Sequence, residues 1–170
     1  MFKIVAWAIL IFGGIFLGLY LDTLLFSQVA KGLIIHLTSA LIGLMLLYFV
    51  IRVSKNTGRT LAKFGRTGSL KRIDTNIFVS QGVYKHMRHP MHLGLLFFPL
   101  SIALIVGSPS FIIIIAPTEI LFILMMIKFV EEPESVRKFG KQYLDYKKQT
   151  PWFCFKVECL KNLLKSYPKN

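Results

Sequence analysis

Four long apolar stretches limit what this chain can fold into. They cover about residues 4–21, 32–51, 91–107 and 110–130, and each approaches the ~20 residues that an α-helix needs to cross a bilayer. The chain is 54% hydrophobic and only 17% charged, which is too apolar for an ordinary soluble domain of 170 residues. We therefore expect an all-α integral membrane protein with about four transmembrane helices, organised as a single membrane domain over residues 1–170.

Basic residues concentrate beside these stretches. The segment from Arg52 to Arg88 holds nine Lys or Arg against Asp74 alone, and the tail from Lys128 holds ten against five acidic residues. By the positive-inside rule, both segments and both termini are predicted to be cytoplasmic. Attraction to anionic membrane lipids explains the net charge of +13, so nucleic acid is not an expected partner. The first stretch has no small-residue cleavage site after it and is interpreted as a retained helix.

A few small or polar residues lie inside the apolar stretches. Pro117 should kink or loosen the fourth helix, and His36 in the second is interpreted as a structural hydrogen-bonding group. Glu119 either hydrogen-bonds a neighbouring helix, for example at His36, or contacts a substrate or proton, and both interpretations remain open. Three glycines of the first stretch form a face on which another helix can pack, which permits a homodimer: Gly13, Gly14 and Gly18.

Two short polar segments lie at the edges of the last two apolar stretches: Gly82–Gly94, which reads GVYKHMRHPMHLG, and Glu131–Glu134, which reads EEPE. Such groups are costly near hydrocarbon, so their clustering at the ends of membrane helices indicates a functional site. Pro90 is suited to begin the third helix with His89 as its cap. The amides of that first turn, with Arg88 beside them, should favour an anion.

The flanking segments are predicted to lie on the membrane surface. Glycines among the basic residues between Arg52 and Gln81 favour a flexible or partly helical loop. In the tail, apolar and aromatic residues at helical spacing predict one C-terminal amphipathic helix. They are Val136, Phe139, Tyr143 and Tyr146.

The histidines and cysteines do not predict a metal site. His86, His89 and His92 recur every third residue, but Pro90 interrupts a common helical face and the segment has no carboxylate. Cys154 and Cys159 lack a CxxC spacing and fall in the predicted cytoplasmic tail, a reducing environment, so we expect them to be ordinary thiols.

The two polar segments together carry a recognisable pattern. Gly-x-Tyr-x-x-x-Arg-His-Pro-x-(Tyr/His)-x-Gly is followed, after two apolar stretches, by Glu-Glu-x6-Phe-Gly-x-x-Tyr-x-x-Tyr. This pattern resembles the isoprenylcysteine carboxyl methyltransferase family, and related membrane phospholipid methyltransferases have the same layout. The resemblance covers about residues 76–153 and implies methyl transfer from S-adenosyl-L-methionine, held on the cytoplasmic side.

By matching position, the resemblance also implies which residues bind the cofactor. Glu131 is the leading acidic contact and Glu132 completes the pair. Methyl transfer is an in-line displacement that needs no metal and no covalent enzyme intermediate, so no catalytic side chain is predicted. The other expected cofactor contacts are Tyr84, His89, Pro90, Met91 and His92, with looser support for Asn76, Ile77, Phe78 and Val79.

Two departures from the family pattern affect the acceptor. His92 stands where the family usually has tyrosine, and Ile127 stands where its carboxyl methyltransferases have a substrate-binding arginine. Lys128 and Glu119 are the remaining candidates for substrate contacts. The first hypothesis is O-methylation of a carboxylate on a prenylcysteine-like or other lipophilic acceptor drawn from the bilayer. The alternatives are N-methylation of a phospholipid amine and a non-catalytic four-helix membrane protein.

Overall fold

The computed structural model describes residues 2–26, 32–67 and 75–165, with side chains from residue 9 onward. These residues form six helices and a short 3-10 helix at Gly82–Lys85. The predicted all-α fold class is confirmed. The helices are α1 (Phe2–Leu25), α2 (Leu33–Phe64), α3 (Pro90–Val106), α4 (Phe111–Phe139), α5 (Lys141–Gln149) and α6 (Val157–Leu164).

Two helices, α2 and α4, are long and apolar enough to cross a membrane. Two shorter apolar helices accompany them, namely α3 and the Ile9–Leu25 part of α1. Large apolar side chains on α2 point away from the protein: Ile34, Leu41 and Met45 are each more than half exposed. Such exposure is costly in water and normal against lipid, where every backbone group must be paired within the helix. The chain is therefore an integral membrane protein.

Helix α2 is longer than the predicted span of 32–51. It continues to Phe64, so the "partly helical" interpretation of the basic segment holds for residues 52–64. Two hydroxyls bond back one turn within this extension, Thr57 to the Val53 carbonyl at 2.8 Å and Thr60 to the Asn56 carbonyl at 2.9 Å. Residues 68–74, including part of the predicted basic loop, lie outside the described residues.

Prolines widen α4 at two places. The backbone forms π-turns at Phe111–Ile115 and Ile127–Glu131, each ending two residues before a proline, Pro117 or Pro133. A proline has no N–H to donate to the carbonyl four residues back, and its ring clashes with that carbonyl. One extra residue in the turn relieves this clash. The predicted loosening at Pro117 is confirmed, and the apolar part of α4 ends at Val130.

The tail differs from the single amphipathic helix predicted for it. Gly140 separates the end of α4 from α5, because its φ of 53° interrupts the helical backbone. Glycine adopts this positive φ without the strain that another residue would have. A further short helix, α6, follows. The expectation of free thiols was wrong in this structure, since the turn into α6 brings Cys154 and Cys159 to a Cα–Cα distance of 6.0 Å and joins them in a disulfide.

The chain divides into two compact units. The first comprises residues 1–48 and 95–124, and the second comprises residues 49–94 and 125–170. In the first unit, Gly14 and Gly18 pack against Phe111, so part of the predicted glycine face serves packing within the chain. Gly107, at φ 69°, turns the chain between α3 and α4 directly beside the His36 ring.

Candidate functional site

One buried carboxylate in the second unit, that of Glu132, joins the two polar segments. Its side chain is only 4% exposed, and its Oε1 lies 3.1 Å from an Arg88 guanidinium nitrogen and 3.3 Å from His89 Nε2. Helix α5 supplies two more donors, Lys147 Nζ at 2.7 Å from Oε2 and the Tyr143 hydroxyl at 3.4 Å from Oε1. Residues 43 positions apart in the chain thus share one charged hydrogen-bond centre.

Backbone hydrogen bonds also join the first polar segment to residues 151–152 of the tail. The Arg88 N–H donates to the Pro151 carbonyl at 2.9 Å, and the His89 N–H donates to the Trp152 carbonyl at 3.2 Å. The Trp152 ring also faces the Arg88 guanidinium, 6.0 Å from its centroid, and the His89 ring at 6.2 Å. Residues 151–152 therefore hold Arg88 and His89 in place through both backbone and side chains.

Tyr146 ties the 3-10 turn to α5. Its hydroxyl donates to the backbone carbonyls of Tyr84 and Met87. Burial, with a smaller contribution from the neighbouring Tyr143, raises the pKa of Tyr146 well above its usual value, so the hydroxyl keeps the proton that it donates. Gly82 starts the turn at φ 61°, a conformation that glycine adopts without strain.

An aromatic cluster carries the tail helices. The Phe78 ring lies 5.5 Å from Phe139, 6.2 Å from Tyr143 and 5.2 Å from Tyr146, measured between ring centroids. These edge-on and tilted contacts are typical of stable aromatic packing. The predicted aromatic stripe of the tail thus packs within its own unit.

The electrostatics of the centre give His89 and Glu132 different charge states. Burial and the neighbouring His92 lower the pKa of His89 to about 4, and the attraction of Glu132 does not overcome them. His89 is therefore neutral at pH 7 and donates its Nε2–H to Glu132. Burial alone would raise the pKa of Glu132, but hydrogen bonds from Lys147 and His89 and the charge of Arg88 outweigh it and lower that pKa. Glu132 remains a carboxylate.

The predicted cofactor residues around Pro90 lie at this centre. Pro90 is the first residue of α3, as predicted, and is fully buried. Tyr84 is 9% exposed, while Met91 and His92 are half-buried. The rings of His89 and His92 are 5.5 Å apart and nearly perpendicular. Since Pro90 has no N–H, the Met91 and His92 amides occupy the first turn of α3.

The looser candidates at residues 76–79 mainly stabilise the local structure. The Asn76 side chain bonds the backbone N–H and carbonyl of Thr67 at 2.9 and 3.0 Å, which closes the loop after α2. Val79 is buried and Ile77 is exposed. With Phe78 in the aromatic cluster, this segment positions the tail.

The structure places Glu132, rather than Glu131, at the middle of the site. The π-turn that ends at Glu131 adds one residue to the helical turn, which rotates the following side chains by roughly 100° compared with a regular α-helix. Glu131 is half-buried and directly precedes Glu132 in the chain.

The two candidate substrate contacts differ in their surroundings. Lys128 is exposed with its Nζ 5.4 Å from the centroid of its neighbour Phe129, while Ile127 is fully buried. Glu119 belongs to the first unit. Among the described residues, no group of three His, Cys, Asp or Glu side chains is placed to hold a metal ion.

Three of the residues that build the site were not among the predicted cofactor contacts. Lys147 was noted only as a basic residue of the tail and Trp152 only as an interfacial anchor, while Arg88, although part of the first motif, was considered only as a neighbour of the helix terminus. One signal was present for Lys147, because it follows Tyr143 by four residues and therefore shares its helical face. The carbonyl contacts of Pro151 and Trp152 leave no such trace in the sequence.

The fold and site define an integral membrane protein whose polar centre is formed by the start of its third helix and its C-terminal tail. The family profile described as phospholipid methyltransferase matches residues 34–142, well over half of the chain. The chain therefore belongs to the phospholipid methyltransferase family.

Curated relatives and a solved structure resemble the chain in the same way. Protein-S-isoprenylcysteine O-methyltransferases match it at 29% identity over 90 residues in Mus musculus and at 35% over 75 residues in Dictyostelium discoideum. These matches cover 53% and 44% of this chain, but only 31% of each relative.

A solved eukaryotic intramembrane Ras methyltransferase, an isoprenylcysteine carboxyl methyltransferase, superimposes with a TM-score of 0.62 at 23% identity, covering 88% of this chain and 52% of that one. The chain thus has the fold of that protein, and the resemblance predicted from the two motifs is confirmed. It spans about a third of the length of the curated relatives.

Proposed function

We propose that this chain is an S-adenosyl-L-methionine-dependent membrane methyltransferase. One observation carries the proposal: both motifs of the resemblance meet at Glu132, through Arg88 and His89 from the first and Lys147 from the tail. Family membership and the isoprenylcysteine methyltransferase relatives support it.

The residues present suit this cofactor. It carries an ammonium, a carboxylate, a ribose and an adenine, and when bound it would supply an electrophilic methyl group on its sulfonium. Arg88 Nε is buried and lacks a hydrogen-bond partner among the described residues, so one guanidinium donor is available for a carboxylate. We assign the Met91 and His92 amides to the same carboxylate and Glu131 to the ammonium.

The remaining predicted contacts exclude water and orient the reactants. Tyr84, His89 and Pro90 form a buried wall, and Trp152 with Phe153 adds apolar surface beside the His89 ring. Methyl transfer between two held reactants depends on alignment and on exclusion of water. Glu132 positions Arg88 and His89 within this wall.

The test is binding of labelled S-adenosyl-L-methionine to the protein purified in detergent with added lipid. We expect saturable binding that Glu131→Ala abolishes and that Glu134→Ala, a change of an exposed neighbouring acid, leaves unchanged. Absence of binding in a folded wild-type sample would overturn the proposal and favour the non-catalytic alternative.

We further propose a lipophilic acceptor that enters from the bilayer, with a prenylcysteine-like carboxylate as the first candidate. Supplying extracted membranes and labelled cofactor identifies the bond formed, because a methyl ester releases its label in mild base and an N-methyl amine does not. The burial of Ile127 and the exposure of Lys128 leave the family's arginine without a replacement at that position. That observation favours the second candidate, N-methylation of a phospholipid amine.

The orientation with a cytoplasmic tail also stands as a proposal, supported by the basic residues of α2 and α5. If the tail is cytoplasmic, a reporter enzyme that works only in the cytoplasm should be active when it is fused after α6. Disulfides are rare in reducing compartments, so the Cys154–Cys159 disulfide opposes this orientation, and thiol labelling in intact cells would show whether the two cysteines are blocked. Blocked cysteines and an inactive reporter would reverse the orientation.

A homodimer likewise remains a proposal, to be measured by the mass of the purified particle.

A further inference from the structure

The first unit contains a groove of about 450 Å³ between α1 and α4. This volume lies within the roughly 300–1,000 Å³ of small-molecule sites in proteins. The α1 side contributes Ile9, Gly13 and Leu17, and the α4 side contributes Ile114, Thr118 and Glu119. The groove is apolar except near the last two residues, which lie together on α4.

The groove exists because α1 has a glycine where a side chain would fill it. A Cβ placed on Gly13 would meet no atom of the described residues within 4 Å. At the next position the opposite holds, since a Cβ on Gly14 would lie 2.9 Å from Glu119 Oε1. Gly14 therefore permits close approach of the carboxyl group, and Gly13 leaves open space beside it.

Glu119 is a buried acid, and one of its carboxyl oxygens lacks a partner among the described residues. The residue is only 6% exposed, and its Oε2 has no hydrogen-bond partner among the described residues. An acid inside a membrane span is costly unless another group pairs with it, and such residues commonly mark ligand sites. Its position at the groove indicates that a ligand supplies the missing contact.

The neighbouring hydroxyl restricts the chemistry of that ligand. Thr118 donates its own hydrogen to the Ile114 carbonyl at 2.7 Å, so its oxygen can only accept a further bond. A cationic head group would have to lose its water in an otherwise apolar groove, whereas a neutral hydroxyl loses far less hydration. A hydroxyl both donates and accepts, which suits a carboxyl group beside an accepting oxygen.

We propose that this groove binds a single apolar chain that ends in a neutral hydroxyl, a long-chain alcohol, whose hydroxyl hydrogen-bonds Glu119. The proposal is independent of the methyltransferase assignment, which concerns residues of the second unit.

The test uses a sixteen-carbon alcohol that carries a photoreactive diazirine in its chain, on the full chain in lipid nanodiscs. The matched probe has the same chain and diazirine but ends in a methyl group. We expect saturable labelling of α1 or α4 by the alcohol, which unlabelled alcohol competes away, and labelling about tenfold weaker by the matched probe.

Four variants separate shape from hydrogen bonding. Gly13→Leu should fill the groove and abolish labelling, while Gly58→Leu, at another helical glycine with open space around it, should leave labelling unchanged. Glu119→Leu should reduce labelling about tenfold, whereas Glu119→Gln keeps shape and hydrogen-bonding capacity and should stay near wild type. Equal thermal unfolding midpoints would show that each variant is folded.

Three outcomes would overturn the proposal. Equal labelling by the two probes would show that the hydroxyl is not recognised. Unchanged labelling in folded Gly13→Leu would place the probe outside the groove. Loss of labelling in folded Glu119→Gln would show that a charge is required and would point to a cationic ligand instead.

Discussion

Replacing Glu132 tests whether its carboxylate holds the second unit together. Glu132→Ala leaves Arg88 buried with its 3.1 Å partner removed and His89 without its acceptor. Breaking a buried ion pair by removing one member costs about 3–5 kcal/mol. Glu132→Gln keeps the shape and its oxygen can still accept from Arg88 and His89, but its NH2 group then faces Lys147, so we expect a smaller loss of about 1.5–3 kcal/mol, the contribution of a hydrogen bond to a charged group.

The partner variants fix the expected order. Lys147 makes the shortest contact with Glu132, at 2.7 Å, but its side chain is 42% exposed, so solvent screens the pair. Lys147→Ala should therefore cost no more than about 1 kcal/mol. Lys148→Ala removes an exposed pair with Asp145 and serves as the control with little effect.

Unfolding in mixed micelles, followed by the fluorescence of Trp152 in a Trp7→Phe background, measures these differences. The Trp152 ring lies against Arg88 and His89, so it reports on this centre. The reasoning is refuted if Glu132→Gln is as stable as wild type, or if Lys147→Ala costs as much as Glu132→Ala.

Three further predictions concern pH, the tail bend and α6. The pKa of His89 is lowered to about 4 from 6.5, so as pH falls below 6.5 the unfolded chain takes up the proton first, and the unfolding midpoint should fall until about pH 4. His89→Gln should flatten that pH dependence. Gly140→Ala should cost about 1–3 kcal/mol, because φ 53° strains alanine although no atom crowds its Cβ, and urea titration would measure it. Asn56 donates to the carbonyl of Leu163 at 2.6 Å, so Asn56→Ala should increase hydrogen exchange in α6 while Gly58→Ala does not.

Local patterns predicted the helices and the region of the site. The apolar stretches predicted α1 to α4, and the fixed φ of proline predicted the start of α3 at Pro90. Helix α6 was missed because its docking depends on Asn56, a residue 107 positions away from its partner Leu163 and unremarkable in its own helix. Other long-range contacts, such as that between Arg88 and Pro151, form through backbone groups that almost every residue carries.

Regular helical geometry could not predict which acid of the pair Glu131 and Glu132 is buried. An assignment with 3.6 residues per turn does not contain the extra residue of the π-turn at Ile127–Glu131. Pro133 was the available signal, because the same spacing between a π-turn and a proline occurs at Pro117. Two occurrences in one helix indicate that the prolines set the turn, and with it which acid is buried.

The turn gives two adjacent acids separate tasks. Both carboxylate oxygens of Glu132 are already paired within the protein, so its charge stabilises the site. The partners are Arg88, His89, Lys147 and Tyr143. Glu131 stays half-buried beside it and is the acid that we assign to the cofactor ammonium. Glu131→Ala should then abolish cofactor binding with little change in the unfolding midpoint, whereas a change at Glu132 should lower both, because the residues that it positions form the binding wall. If both variants lowered stability equally and neither altered binding, the pair would be purely structural, and the cofactor assignment would lose its acidic contact.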